Sequence, residues 1–152
     1  MKTVIAMLNR SFPLQADFEL SVINPPHSPL TVVGIGMGPR GLPAIAVWQY
    51  RARGARMLRE PEMHFEVEWS RGEVADLYPY SWHSEYAELD EVAVTCEGVE
   101  LDGRHIVRSD NRMIADHRAF ALIWDKELVE KSFEQAYYRF AFLSPPIQNA
   151  HA

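Results

Sequence analysis

What this sequence lacks narrows it before any motif is considered. It has one cysteine, Cys96, so no intrachain disulfide can form, and no Cys/His spacing suited to a structural zinc site is present. A reducing compartment follows, and cytoplasm is the expected location. No long hydrophobic run occurs: the N-terminal stretch Thr3 to Leu8 is too short for the core of a signal peptide and far too short to span a bilayer. There is no Gly-x-Ser-x-Gly elbow, no P-loop, no zinc-protease helix and no EF-hand loop. Lys and Arg are missing from Gly72 to Gly103, where nine acids fall. Acids are missing from Arg40 to Arg59, where five arginines fall.

The chain has 152 residues, of which 47% are hydrophobic, enough for one domain with a real core. A chain of this size buries roughly 70% of its unfolded surface. The net charge of −6 opposes nucleic-acid binding and suits either solubility or a basic partner. A single α+β domain over residues 1–143 is expected, with 144–152 as a flexible tail that begins at Ser144-Pro145-Pro146.

The clearest local signal is Pro61 to Trp69. Met63, Phe65, Val67 and Trp69 alternate with His64, Glu66 and Glu68, the pattern of a strand with a dry and a wet face. Phe18 to Ile23 reads as another strand, ended by the proline-rich loop from Asn24 to Pro29. Residues 2–8 fit a strand or a short helix, with helix favoured. Glu91 to Cys96 reads as one strand, and Val99 to Val107 as a hairpin turning at Asp102-Gly103.

Two interpretations compete at Gly36-x-Gly38-x-x-Gly41. As a dinucleotide fingerprint, its glycines would admit a pyrophosphate at a helix N-terminus. As a hairpin loop, they would supply positive φ between antiparallel strands. The β-branched, aromatic segment after Gly41 and the absence of a later βαβ unit favour the hairpin.

From Asp110 to Phe142 the period becomes helical. Met113, Phe120, Trp124 and Leu128 form one stripe, and Leu122, Val129, Phe133, Ala136 and Phe140 another, nearly opposite. The buried face thus changes near Asp125, so the helix either bends or breaks there or is sandwiched. The fold expected is an antiparallel, mostly meandering sheet of five to seven strands with this helix on one face.

Few residues suggest chemistry. His64 and Glu66 share a strand face and could, with a third ligand, hold a divalent metal in a small hydrolase or nuclease, but alternating Glu and His also mark any solvated strand. His83 and Glu85 follow the same logic. Cys96 is expected as a core or half-buried thiol rather than a nucleophile. The arginines Arg51, Arg53, Arg56 and Arg59 read as a solvated hairpin balancing the acidic block. No catalytic residue, cofactor or metal site is assigned.

Several short motifs carry a resemblance: Ile45 to Tyr50 with Gly54 and Met57; Pro61-Glu62-Met63-x-Phe65; Leu77 to Trp82 with Glu85-Tyr86; and Trp124-Asp125-Lys126-x-Leu128 with Phe133. The chain resembles an uncharacterised domain family of small accessory proteins encoded on plasmids and other mobile elements. It departs from that pattern at Ala52-Arg53-Gly54-Ala55, in place of an Asn-Gly-Asp type of turn, and at Ser132, where glycine is expected. The resemblance implies a genomic setting and strands followed by a helix; it implies no catalytic residue.

The expectation is therefore a non-enzymatic interaction module, with an inhibitor of a host defence system of the anti-CRISPR or anti-restriction type as its specific form. Glu85, Glu88, Asp90 and Glu91, with Tyr80, Trp82 and Tyr86, are the expected contact residues. The partner would be a protein, such as a basic nucleic-acid-binding surface of a defence complex. A homo-oligomer formed through a helix stripe is a further option.

Overall fold

Alternation in the Pro61 to Trp69 stretch places Met63, Phe65 and Val67 on a single face, and all three are buried. They form the middle of a long strand in a computed structural model that describes residues 1–11 and 17–144. The chain runs α1 (Lys2–Arg10), β1 (Glu19–Asn24), β2 (His27–Met37), β3 (Pro43–Arg53), β4 (Arg56–Ser70), β5 (Glu73–Ser84), β6 (Leu89–Val92), β7 (Val94–Val99), β8 (His105–Ser109), α2 (Asn111–Glu130), α3 (Phe133–Phe140) and β9 (Ala141–Ser144).

Seven strands form one antiparallel sheet in the order β6-β5-β4-β3-β2-β1-β9. Strands β1 to β6 meander, each pairing with the next in sequence, and β9 returns to the far edge beside β1. The α+β class and the antiparallel sheet are as expected. β7 and β8 make a separate two-stranded ribbon.

The three helices supply the other half of the core. Val4, Met7 and Leu8 of α1, Trp124 and Leu128 of α2, and Phe133 and Ala136 of α3 meet Leu20, Leu30, Val47 and Phe65 of the sheet. Full burial of each large apolar side chain contributes about 1.5–3 kcal/mol. In α1 the buried residues fall at helical spacing, which decides the N-terminal stretch in favour of helix.

Several boundaries differ from expectation. α2 runs unbroken through Asp125, and the interruption comes at Ser132, whose φ of 59° is left-handed. The second apolar stripe is thereby divided: Leu122 and Val129 stay exposed on α2, while Phe133 and Ala136 are buried on α3. The helical segment ends at Phe140, because Ala141 to Ser144 pair with β1. The Glu91 to Cys96 strand is split at buried Ala93, whose N–H reaches Tyr80 O and whose carbonyl receives Asp110 N–H. The proline-rich loop shrinks to a Pro25-Pro26 turn, because β2 already starts at His27. Of the expected tail, Ser144 ends β9 and 145–152 lie outside the described residues.

Among the described residues, no helix is long and apolar enough to cross a membrane.

Candidate functional site

The turn between β5 and β6 brings part of the expected contact set together. Tyr86 is 42% exposed, yet its position is fixed. Its hydroxyl donates to Ala52 O at 2.6 Å, and the guanidinium groups of Arg51 and Arg53 lie 5.0 and 5.4 Å from its ring centroid. Such cation–π contacts are worth about 0.5–1 kcal/mol at exposed sites. Glu85 faces Arg56 at 3.9 Å and its carbonyl receives Arg53. Glu88 is exposed, and the Asp90 carboxylate is open to solvent beside His83 at 3.6 Å. The arginine cluster and part of the acidic block thus meet at one corner, as the balancing reading anticipates.

The other three contact candidates sit elsewhere. Glu91 accepts from Nε2 of His117 at 3.0 Å, and His117 is fully buried on α2. Trp82 stacks on Phe120 at 4.1 Å between centroids and belongs to the helix-facing core. Tyr80 lies on the opposite face, its ring 5.9 Å from that of His64. Further along, Glu97 meets Arg108 and Glu100 meets Arg104, so the acidic block is not one continuous free surface. Those cations follow Gly103, just past the stretch that lacks them.

The face of the sheet away from the helices holds a polar strip, and here the wet-face expectation needs correction. Glu66 is fully buried, although alternation marks it as solvated. The glycine loop covers it: Arg40 N–H donates to Oε1 at 2.6 Å and Arg40 Nη1 to Oε2 at 2.7 Å. A Cβ added at Gly38 would lie 2.2 Å from Glu66 Cγ, so only glycine lets the loop close over the carboxylate. At Gly41, whose φ is +81°, an added Cβ would lie 2.7 Å from His105 Nε2 of β8. Arg40 is the one Lys or Arg between Arg10 and Arg51, and that isolated cation was the available signal for the pair.

The same loop decides between the two glycine readings. β2 and β3 are antiparallel across it, with Gly38 N–H bonded to Leu42 O, and a strand rather than a helix follows Gly41. The helix N-terminus that a dinucleotide fingerprint requires is not formed there.

Along the strip, His64 Nε2 lies 3.0 Å from Glu62 Oε1. That hydrogen bond, helped by the charges of His64 and Arg59, holds the Glu62 carboxyl below its ordinary range despite partial burial. Burial raises the Tyr80 phenol, and the Glu66 charge adds to the effect. Tyr78 donates to Glu68, which raises the Tyr78 phenol as well. His64 and Glu66 therefore turn to different partners. Among the described residues, no group of three or more His, Cys, Asp or Glu side chains is placed to hold a metal ion.

Cys96 is exposed rather than half-buried, because its ribbon has only two strands and cannot cover both of its faces. Its Sγ lies 3.7 Å from His105 Nδ1, which also faces Pro39 O at 3.1 Å. A cleft of about 400 Å³, unforeseen from sequence, opens between α2 and the β3 and β4 strands. Phe120 and Trp124 form its inner wall, and Arg51, Lys131, Glu60 and Glu127 its mixed-charge rim. Gln49 in the cleft accepts from Trp124 Nε1 and donates to Ser28 O.

A family model described as a domain of unknown function, DUF6908, matches residues 2–134. The chain belongs to that family. Searches of curated proteins and of solved structures return no match. The DUF6908 match begins at the first residue of α1 and ends inside α3, so it takes in the glycine loop, the polar strip and the β5–β6 corner, and leaves out β9.

Proposed function

We propose that this DUF6908 chain is a non-enzymatic protein-interaction module that docks through the β5–β6 corner. The observation that carries this reading is Tyr86: an exposed aromatic ring held in place by its own hydroxyl bond and by two guanidinium groups. Rigid tyrosines suit interface centres because little entropy is lost when they are covered. Glu88 and Asp90, two and four residues beyond Tyr86, are exposed and favour basic groups on the partner.

The narrower role is inhibition of a host defence complex, of the anti-CRISPR or anti-restriction type, by a protein encoded on a mobile element and acting in the cytoplasm. Small size, a net charge of −6 and the motif resemblance support it. The exposed thiol of Cys96 suits a reducing compartment.

Affinity capture from host lysate, with Tyr86→Ala and the pair Glu88→Lys, Asp90→Lys as controls, tests the reading. A basic protein retained by wild type and lost from both variants is expected. A retained set that is identical for wild type and variants overturns docking at this corner.

A further inference from the structure

The outer face of α2 is apolar where it meets solvent. Ala115, Ala119, Leu122 and Val129 lie along one exposed ridge with Lys126, and Ile123 stands beside it. Leu122 is 67%, Ile123 58% and Val129 60% exposed. Three large aliphatic side chains left open on one helix call for a covering surface.

The charges around the ridge say what that surface is. On the side of the ridge where Ile123 stands, Arg112 lies toward the N-terminal end and Glu130 toward the C-terminal end, with Asp116 and Lys126 between them; Arg118 lies on the other flank of the ridge, and Glu127 lines the cleft against β3 and β4. We propose that a second copy of this chain covers the face, its α2 antiparallel to the first about a two-fold axis. Setting Arg112 opposite Glu130 of the partner subunit fixes the register. That same register puts Asp116 opposite Lys126 of the partner subunit and Ala119 opposite Ile123 of the partner subunit.

One alignment therefore satisfies both charge pairs, and two-fold symmetry makes each pair occur twice. A parallel arrangement would instead face arginine with arginine and glutamate with glutamate. The small side chains of Ala115 and Ala119 let the helices come within the usual 8–10 Å. Within one chain, Lys126 faces Glu130 at 3.8 Å, but both are well exposed and yield easily to a new partner. α2 is about 30 Å long at 1.5 Å per residue, so one helix pair falls below a standard interface and the dimer is weak and concentration-dependent. None of these contacts uses Tyr86, Glu88 or Asp90.

Light scattering over a concentration series reads this directly. The mass is expected to rise with concentration toward twice 17.4 kDa, and to stay at the monomer value for Leu122→Asp. Arg112→Glu and Glu130→Arg are each expected to lose the dimer, because each homodimer then faces like charges. An equimolar mixture of the two variants regains it, because both cross-pairs are opposite in sign. Thermal melts confirm that the variants fold. A wild-type monomer at every concentration, a mass above the dimer, or a dimer indifferent to Leu122→Asp and to the charge reversals overturns the proposal.

Discussion

Asp125, in the C-terminal half of α2, caps a helix to which it does not belong: its Oδ1 accepts from Thr3 N–H at 3.0 Å and its Oδ2 from Lys2 N–H at 2.9 Å. α1 has no side-chain cap of its own and no acid in its first turn. The carboxylate both satisfies free amides and lies at the positive end of the α1 dipole. It also ties the N-terminus to the helix that packs across the sheet. Asp125→Ala is expected to lower stability by about 1–2 kcal/mol, the usual cost of removing a cap. Urea unfolding measures it, and an unchanged midpoint would show that water replaces the carboxylate at no cost.

The Glu66–Arg40 pair predicts coupled effects. Arg40→Ala leaves a buried carboxylate with only the backbone N–H of residue 40. Breaking a buried pair costs about 3–5 kcal/mol, and the one-third exposure of Arg40 puts the expected loss at or below the low end. Gly38→Ala should be destabilising in wild type and much less so in Glu66→Ala, because the Cβ at position 38 would meet the Glu66 side chain. A double-mutant cycle on denaturation midpoints reads the coupling; simple additivity would mean that the loop moves aside.

Much of the fold is legible in the sequence because it rests on local periodicity. Alternation in β4 reports which of its residues share a face, and the glycines report where the chain reverses; in β5 a bulge at Tyr80 breaks the rule and sends Tyr80 and Trp82 to opposite faces. Alternation does not report what covers a face. Glu66 and Phe65 follow the same rule, yet Glu66 is buried only because a loop from another strand pair folds over it. β9 is equally hidden: four residues beyond a helix form a strand through pairing with β1, more than a hundred residues earlier in sequence. At the β5–β6 corner, proximity in sequence gathers Glu85, Tyr86, Glu88 and Asp90, whereas Glu91 is drawn to His117 by a helix that sequence alone does not position.

Glu62 makes stability depend on pH in a stated direction. Its carboxyl titrates lower in the folded state than its ordinary value of 4.5, chiefly through the His64 hydrogen bond. A depressed carboxyl stabilises the fold above the unfolded-state value and loses that contribution as pH falls through the folded-state value. The melting temperature of Glu62→Gln should therefore lie below that of wild type at neutral pH, and the gap should close below the ordinary carboxylate range. A gap independent of pH would assign the loss to packing.

The phenols behave oppositely. Tyr80 and Tyr78 are both raised above the ordinary value of 10.0, by burial and by the Glu68 hydrogen bond respectively. A raised phenol contributes stability that is complete below the unfolded-state value and is lost as pH rises through the folded-state value. Ultraviolet titration should show a late-ionising fraction that shrinks in Tyr80→Phe. A single transition near 10, unchanged by that substitution, would contradict the buried placement of the ring.

Ser132 offers a gain rather than a loss. It sits at φ 59°, ψ 35° between α2 and α3, a conformation in which a residue with Cβ is strained by about 1–2 kcal/mol. The family resemblance expects glycine at this position, and the backbone geometry gives the reason. The Ser132 N–H reaches Val129 O at 2.9 Å and its carbonyl receives Ala136 N–H at 3.0 Å, so the turn is held through backbone atoms alone. Ser132→Gly keeps both bonds and removes the strain, against an entropic cost of about 0.5–1 kcal/mol in the unfolded chain. The net expectation is a stabilisation of about 0.5 kcal/mol, measured as a higher urea midpoint with unchanged slope. Ser132→Val, which adds β-branching in the same conformation, should move the midpoint the other way, and equal midpoints for the two variants would show that the left-handed geometry is not retained in solution.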